Sequence, residues 1–305
     1  MFNLKITKMK KQIYLLVSLF ALIGFSSNVS AQAEVTQYNG ETKTFTVTNH
    51  ADFSYQWSVY AEIPTPSSTA MTATNFSILT AQSNSCSIEW KTMPVGSYYV
   101  AVKEFAGTAQ TGCATTRYIK VNIAASQWNV VVVAVDATGN PIDEAGRTSC
   151  ALGEGQIVAN TSSLTTPDNV RYYDVIVKNG TAEWKGNWKF SYTLTGNDIQ
   201  TSAVGYIKTI TSETVNGYMN PSISETAAVT TAKEVSVTNG SKVRIKVTAK
   251  DNAGTDSKFT YTLPLTVSAL KVGAGEVGES SGNDTDNLIT YTVKTYPKTG
   301  DIIVN

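Results

Sequence analysis

The chain has 305 residues, and its 24 Lys and Arg side chains balance its 24 Asp and Glu side chains, so its formal net charge is zero. A neutral chain has no electrostatic steering towards nucleic acid or anionic lipid, and neither is expected as a partner. Hydrophobic residues make up 42% of the chain and charged residues only 16%, a composition that favours strands over helices.

The first 31 residues are typical of a signal peptide for export. Four lysines between positions 5 and 11 form a positive leader, an apolar core spans 13–25, and 29-VSA-31 offers small residues to a signal peptidase. The core is shorter than the ~20 residues that span a bilayer, so cleavage is expected and an uncleaved membrane anchor is the alternative. After cleavage we expect no transmembrane segment, and a location outside the cell or on the outer surface, with the periplasm as the alternative.

From Val35 onwards the sequence predicts short β-strands, because apolar and polar residues alternate in runs bounded by Gly, Asn, Asp, Ser or Pro. A first unit at 34–124 contains such runs at 44–48, 54–60, 97–104 and 117–123. The side chains predicted to face inward are Phe45, Val47, Tyr55, Trp57, Val59, Tyr98, Val100, Val102, Ile119, Val121 and Ile123. The unit has the size of a β-sandwich.

A second unit, at 127–305, begins after a short linker. Its predicted strands are 128–135, 171–177, 187–194, 243–250, 258–267 and 288–293. Hairpin signals separate them at 179-NG-180, 186-GN-187, 239-NG-240 and 251-DNAG-254. The unit is long for a seven-strand sandwich. We interpret it as one larger sandwich with an insertion near 195–233, and two smaller units are the alternative.

Four short motifs of the first unit suggest a family. They are 55-YQWSV-59, 87-SIEW-90, 96-GSYYVAV-102 and Gly112-Cys113. Together they resemble the polycystic-kidney-disease-type (PKD-like) immunoglobulin-like modules of exported Bacteroidetes proteins. The resemblance covers 35–123, and the fold class it implies is all-β, with immunoglobulin-like sandwiches in tandem after the signal peptide.

The second unit resembles the immunoglobulin-like repeats of the same surface proteins more weakly. Its 150-CALG-153 looks like the start of such a repeat, and 293-VKTYPKTGDII-303 looks like a closing strand. No second cysteine follows Cys150, which departs from the pattern. Membership would imply adhesion, filament or matrix building, or gliding-type motility, often with type IX secretion. The partners would be other surface proteins or matrix and filament subunits.

The three cysteines, Cys86, Cys113 and Cys150, form an odd set in a chain whose export would allow disulfides. Cys86 and Cys113 fall in one unit, separated by a run that reads as two strands and a hairpin. A Cys86–Cys113 disulfide is therefore the preferred pairing. Free or buried thiols, and a Cys113–Cys150 bridge between the units, are the alternatives.

The sequence gives catalysis little support. His50 is the single histidine, so a Ser-His-Asp triad would have to include it, and 48-TNHAD-52 reads as a solvated turn. One histidine also excludes a zinc site built from histidines. The spacing of the acids does not by itself rule out a carboxylate pair of the glycosidase kind. We expect no catalytic residue.

Calcium is the one cofactor that the sequence suggests. Oxygen-bearing side chains cluster at 251-DNAGTD-256 and 283-NDTDN-287, between predicted strands. The candidate ligands are Asp251, Asp256, Asp284 and Asp286. Neither loop completes an EF-hand, and turn formation by Asx side chains without any metal is the alternative.

An aromatic motif raises the question of carbohydrate binding, because indole faces stack on sugar rings. In 183-EWKGNWKF-190, Trp188 shares one phase with Phe190, Tyr192 and Leu194 and so belongs to a core strand. Trp184 is the one tryptophan of the motif that is available as a ligand platform. Packing in the core is the alternative for it as well.

These features predict an exported structural or adhesive protein that works by protein or surface binding without catalysis. A carbohydrate-binding accessory module is the alternative, and a hydrolase subunit comes third. The apolar residues Ile302, Ile303 and Val304 follow strand-interrupting Pro297 and Gly300. Such a tail is able to pair with the open strand edge of a neighbouring subunit.

Overall fold

The structure, a computed structural model, describes residues 34–80, 83–107, 114–150, 168–196, 206–250, 261–280 and 286–294. Strands are the regular elements of these ranges, which contain no α-helix. The all-β fold class is therefore confirmed. The predicted signal peptide lies outside the described residues.

The first sandwich consists of seven strands. They are β1 (Glu34–Tyr38), β2 (Thr42–Thr46), β3 (Phe53–Tyr60), β4 (Phe76–Ile78), β5 (Ser85–Trp90), β6 (Gly96–Ala106) and β7 (Ala114–Ala124). One sheet has the order β1-β7-β6-β3 and the other the order β2-β5-β4. The sheet of β2, β4 and β5 thus faces the sheet that contains β3, β6 and β7, as in immunoglobulin domains. β1 runs parallel to β7.

The core of this sandwich follows the predicted alternation. On β3 the side chains of Tyr55, Trp57 and Val59 are buried, and Trp57 occupies the third strand, where immunoglobulin domains carry a buried tryptophan. Tyr98, near the start of β6, donates its hydroxyl to the carbonyl of Pro94 at 3.0 Å. This bond has the form of the tyrosine corner of such domains.

The second sandwich consists of twelve strands. They are β8 (Trp128–Val135), β9 (Thr148–Cys150), β10 (Asp168–Asn179), β11 (Ala182–Glu183), β12 (Gly186–Leu194), β13 (Tyr206–Ser212), β14 (Ser224–Glu225), β15 (Val229–Gly240), β16 (Lys242–Lys250), β17 (Tyr261–Val272), β18 (Val277–Gly278) and β19 (Leu288–Lys294). One sheet joins β8, β10, β16, β13 and β14 in that order, with β11 beside β10, and the other has the order β15-β12-β17-β19-β9 with β18 beside β17.

The first strand of this sandwich is divided between the two sheets, since β8 pairs with β10 and β9 runs parallel to β19. The segment 195–233, interpreted from the sequence as an insertion, supplies β13, β14 and the start of β15. These strands widen both sheets at their edges. At the predicted hairpin turns, Gly180 and Asn239 have positive φ angles of 62° and 54°. Gly186 and Asn187 instead begin β12.

A buried ion pair lies on the outer face of the first sheet of this sandwich. Asp174 on β10 and Arg244 on β16 are opposite each other in register. The Nε and Nη2 atoms of Arg244 donate to the two carboxylate oxygens of Asp174 at 2.8 and 3.0 Å. Tyr218 donates its hydroxyl to Asp174 at 2.7 Å, and the guanidinium lies over its ring. The segment carrying Tyr218 therefore covers a charged pair that is almost fully buried.

The two sandwiches pack against each other at a short junction. β7 ends at Ala124 and β8 begins at Trp128, whose buried indole donates to the carbonyl of Asn39 at 2.8 Å. Gly40 and Gly273, both with positive φ, let two turns approach closely, since a Cβ atom on Gly273 would lie 2.4 Å from the carbonyl oxygen of Gly40. The junction is thus built from contacts of both units.

Candidate functional site

A polar cleft of about 630 Å³ lies at this junction. The turn between β1 and β2 forms one wall, and residues 184–187 before and at the start of β12 form the other. The polar side chains that line it are Thr36, Gln37, Glu41, Thr42, Lys43, Glu89, Lys185, Asn187 and Asn239. The predicted platform Trp184 lies in its wall.

Trp184 is half-buried and combines packing with exposure to the cleft. Its ring meets the buried ring of Trp128 edge to face, with centroids 4.9 Å apart. It also covers Gly186, where an added Cβ atom would come within 2.2 Å of the indole. The indole therefore packs against the junction and also faces the cleft.

Glu41 contributes an acidic group to the cleft that the sequence did not single out. Burial raises its pKa above the ordinary value, while the backbone N–H of Tyr38 and the charge of Lys43 act in the opposite direction. The Tyr38 N–H donates to Glu41 Oε2 at 3.0 Å. Asn187 and Glu89 already accept backbone N–H groups, from Asn239 and Ala274 respectively. The cleft therefore offers hydrogen-bonding groups held in place by the backbone of both sandwiches.

A second concave feature is an apolar groove of about 320 Å³ along one edge of the first sandwich. It opens between β2 and β7, which belong to different sheets. Its apolar lining consists of Val35, Phe45, Val47, Trp57, Val100, Val102 and Ile119. Lys43 and Arg117 add positive charge to the same groove.

The groove is bordered by strand edges that have no partner among the described residues. β1 pairs with β7 only from Lys120 to Ala124. The preceding part of β7, 114–119, pairs with β6 alone, and β2 pairs with β5 alone. Unpaired N–H and C=O groups therefore flank an apolar floor, which is the form of a strand-accepting edge.

His50 lies in the loop between β2 and β3, where the sequence predicted a solvated turn, and about half of its side chain is exposed. Its Nδ1 atom is hydrogen-bonded to Glu104, and its ring meets Phe53 edge to face. Its backbone N–H donates to the hydroxyl of Tyr55. Among the described residues, no serine or cysteine is hydrogen-bonded to its ring, so these contacts give no catalytic triad.

Cys86 lies on β5 with its side chain fully buried in the first core. Burial raises the pKa of its thiol to about 11, so the reactive thiolate is scarcely populated at neutral pH. Cys86 carries no disulfide among the described residues. Cys113 lies outside them, and the Cys86–Cys113 pair stays a prediction.

The calcium ligands suggested by the sequence are described only in part. Asp251, Asp256 and Asp284 lie outside the described residues. Asp286, before β19, accepts a hydrogen bond from the side chain of Asn129 at 2.9 Å. Within the described ranges, no three His, Cys, Asp or Glu side chains are grouped as metal ligands. Nor does this part of the chain form a helix of the length and apolarity needed to cross a membrane.

No protein-family model matches the chain, and no curated protein matches it. Among solved structures, it is similar to a chimeric titin Z1Z2 carrying a decorin peptide, with 8% identity, a TM-score of 0.34, and coverage of 88% of this chain and 95% of the other. It is also similar to the BspA C-terminal domain of the Streptococcus agalactiae AgI/II polypeptide, with 8% identity and a TM-score of 0.22, over 87% of this chain and 95% of the other. A third similar structure is a protein of unknown function from Porphyromonas gingivalis W83, with 9% identity and a TM-score of 0.24, over 88% of this chain and 97% of the other. Likenesses this loose carry no argument about function.

Proposed function

We propose that this protein is an exported structural or adhesive module that binds other proteins by strand addition, without catalysis. The observation that carries this proposal is the groove between β2 and β7, where apolar core side chains lie between two strand edges that have no partner in the described part of the chain. An added strand would satisfy the free backbone groups and cover the apolar lining at once. The secreted or outer-surface location and the PKD-like Bacteroidetes family belong to this proposal.

The occupant we propose is the segment 301-DIIVN-305 of a second copy of the chain. In an extended strand, Ile302 and Val304 point to one face and Ile303 to the other. The face with two apolar side chains matches the apolar floor of the groove. Asp301 brings a negative charge towards a groove that contains Lys43 and Arg117. Repetition of this contact from copy to copy would build a filament, because the donor and acceptor surfaces differ.

Deletion of 301–305 is expected to abolish concentration-dependent self-association of the mature chain, measured by light scattering. Ile302→Asp should have the same effect, because it places a charge on the apolar floor. Ile303→Asp is the matched control, with the same chemical change on the opposite face, and should leave association largely intact. Association that survives the deletion, or a parent chain that stays monomeric at every concentration, contradicts the proposal.

Residues before Glu34 are the competing occupant of the groove. β1 runs parallel to β7, and a longer β1 would continue beside 114–119. Predicted cleavage after Ala31 leaves only Gln32 and Ala33 in front of β1, which is too short to fill this edge. If retained residues 20–31 cover the groove, self-association should be stronger for a chain that starts at Gln32 than for one that retains them. Equal association of the two chains would show that residues 20–31 do not occupy the groove.

Carbohydrate binding is the second candidate, and the position of Trp184 in the polar junction cleft favours it. If the cleft holds a sugar against the indole, a glycan array should give signals for the parent protein that Trp184→Ala loses. Lys185→Ala, the neighbouring residue in the same wall, is the control and should retain them. A purely structural module would give no signal with either protein.

A further inference from the structure

Four polar side chains form a connected group between the start of β8 and the segment before β19. Asn129 Nδ2 donates to Asp286 Oδ2 at 2.9 Å, and Asn287 Nδ2 donates to Glu279 Oε2 at 3.0 Å. Glu279 Oε1 accepts the backbone N–H of Val130 at 2.9 Å. Two carboxylates and two carboxamides, from three separate places in the sequence, thus meet at one end of the second sandwich.

Three oxygen atoms of this group are buried and have no hydrogen-bond donor among the described residues. They are Asn129 Oδ1, Asp286 Oδ1 and Asn287 Oδ1. Asn287 as a whole is only 7% exposed. Both carboxamide orientations are fixed, because each Nδ2 atom donates to a carboxylate and a flipped amide would place two acceptors together. A buried acceptor without a donor destabilises the folded state, so three of them on these neighbouring side chains call for a partner.

That partner must attract oxygen atoms, and the charge of the group indicates its sign. Asp286 brings a carboxylate whose Oδ1 atom has no hydrogen-bond donor within the described ranges. A cation would compensate the charge of Asp286 and satisfy the three oxygens together. Calcium fits this ligand set, since it accepts carboxylate and amide oxygens in irregular geometry and completes its shell with water. Zinc prefers nitrogen and sulfur ligands, and magnesium demands a near-ideal octahedron.

We propose that Asn129, Asp286, Asn287 and Glu279 form a calcium site. Asp286 was singled out in the sequence as a candidate ligand, and Asn287 belongs to the same motif. Asn129 and Glu279 were not singled out, because they lie far from that motif in the chain. The site touches the junction directly: Ser280, next to Glu279, donates its backbone N–H to Trp128 and its hydroxyl to Ser126, each at 2.9 Å. Bound calcium would therefore stabilise the second sandwich together with the linker that leads into it.

Calcium is expected to raise the melting temperature of the whole chain. Sites in extracellular modules have dissociation constants of about 0.1–1 mM, so about 10 mM CaCl₂ against EDTA should raise Tm by roughly 3–10 °C. Asp286→Asn should remove this shift while keeping an acceptor for Asn129. Its Tm in EDTA should equal or exceed that of the parent, because the new amide donates to acceptors that lack a donor. A purely structural Asp286 would instead lower Tm equally with and without calcium.

Asp52→Asn is the matched control, since it removes one exposed carboxylate from the first sandwich at a position whose positive φ of 63° suits asparagine. It should retain the full calcium shift. Terbium, which replaces calcium and is excited through nearby indoles, gives a second measurement that does not depend on stability. The parent should show terbium luminescence that calcium displaces, and Asp286→Asn should not. An unchanged Tm in calcium together with no terbium signal overturns the proposal and leaves ordered water as the partner of these oxygens.

Discussion

Replacement of Asp174 by alanine is expected to lower the free energy of unfolding of the second sandwich by about 3–5 kcal/mol. The substitution leaves the guanidinium of Arg244 buried at 1% exposure without its carboxylate. It also removes the acceptor of the Tyr218 hydroxyl, so the segment that covers the pair loses its attachment. Urea denaturation followed by tryptophan fluorescence measures the change, because Trp188 lies in the core of the same sandwich.

The expected loss of stability comes from leaving the charge of Arg244 buried without a partner. The net contribution of the intact ion pair to the free energy of unfolding is smaller. The triple variant Asp174→Leu, Arg244→Met, Tyr218→Phe removes every polar partner together. It should lie within about 1–2 kcal/mol of the parent, in either direction, since apolar replacements of buried ion pairs are often neutral or stabilising. A triple variant as unstable as Asp174→Ala would show that the pair stabilises the fold through its own attraction.

Replacement of Trp128 by alanine is expected to lower the free energy of unfolding by about 3–5 kcal/mol. It should also make the two sandwiches unfold in separate transitions. Trp128 is fully buried in the second core, and its indole N–H reaches the carbonyl of Asn39 in the first sandwich. The substitution leaves a cavity beside Trp184 and breaks that link. Calorimetry should show one transition for the parent and two for the variant.

Trp128→Phe separates the two effects, because it retains an aromatic ring and removes the indole N–H. It should lower the free energy of unfolding less than Trp128→Ala does. It should still weaken the coupling between the unfolding transitions of the two sandwiches. If Trp128→Ala unfolds in one transition, the junction is held by other contacts, one of which is the close approach of Gly40 and Gly273.

The strands and their faces could be predicted from the sequence because alternation is a local signal. A two-residue period decides which side chains of a strand point to the core. Trp188, Phe190, Tyr192 and Leu194 were assigned to one inward face, and all four are buried at 2% exposure or less. The turn residues Gly180 and Asn239 were predictable for the same reason, since a positive φ is a property of single residues.

The features that depend on distant segments were not predictable in this way. Asp174 alternates with Tyr173 and Val175 and so reads as solvent-facing, yet the segment around Tyr218 buries it. The segment 195–233, which supplies β13 and the start of β15, was interpreted as an insertion because Ser, Thr and Asn dominate it. The groove and the proposed calcium site likewise consist of residues that only the fold brings together.

The parallel pairing of β1 with β7 decides how the first sandwich would respond to a pulling force. Tension applied at the residue before Glu34 and at the linker after Ala124 draws the two strands in opposite directions along their common axis. All the rungs of this ladder, and the ion pair of Glu34 with Lys120, then carry the load together instead of opening one after another. Resistance to a force in this direction is a property that thermal melting does not measure.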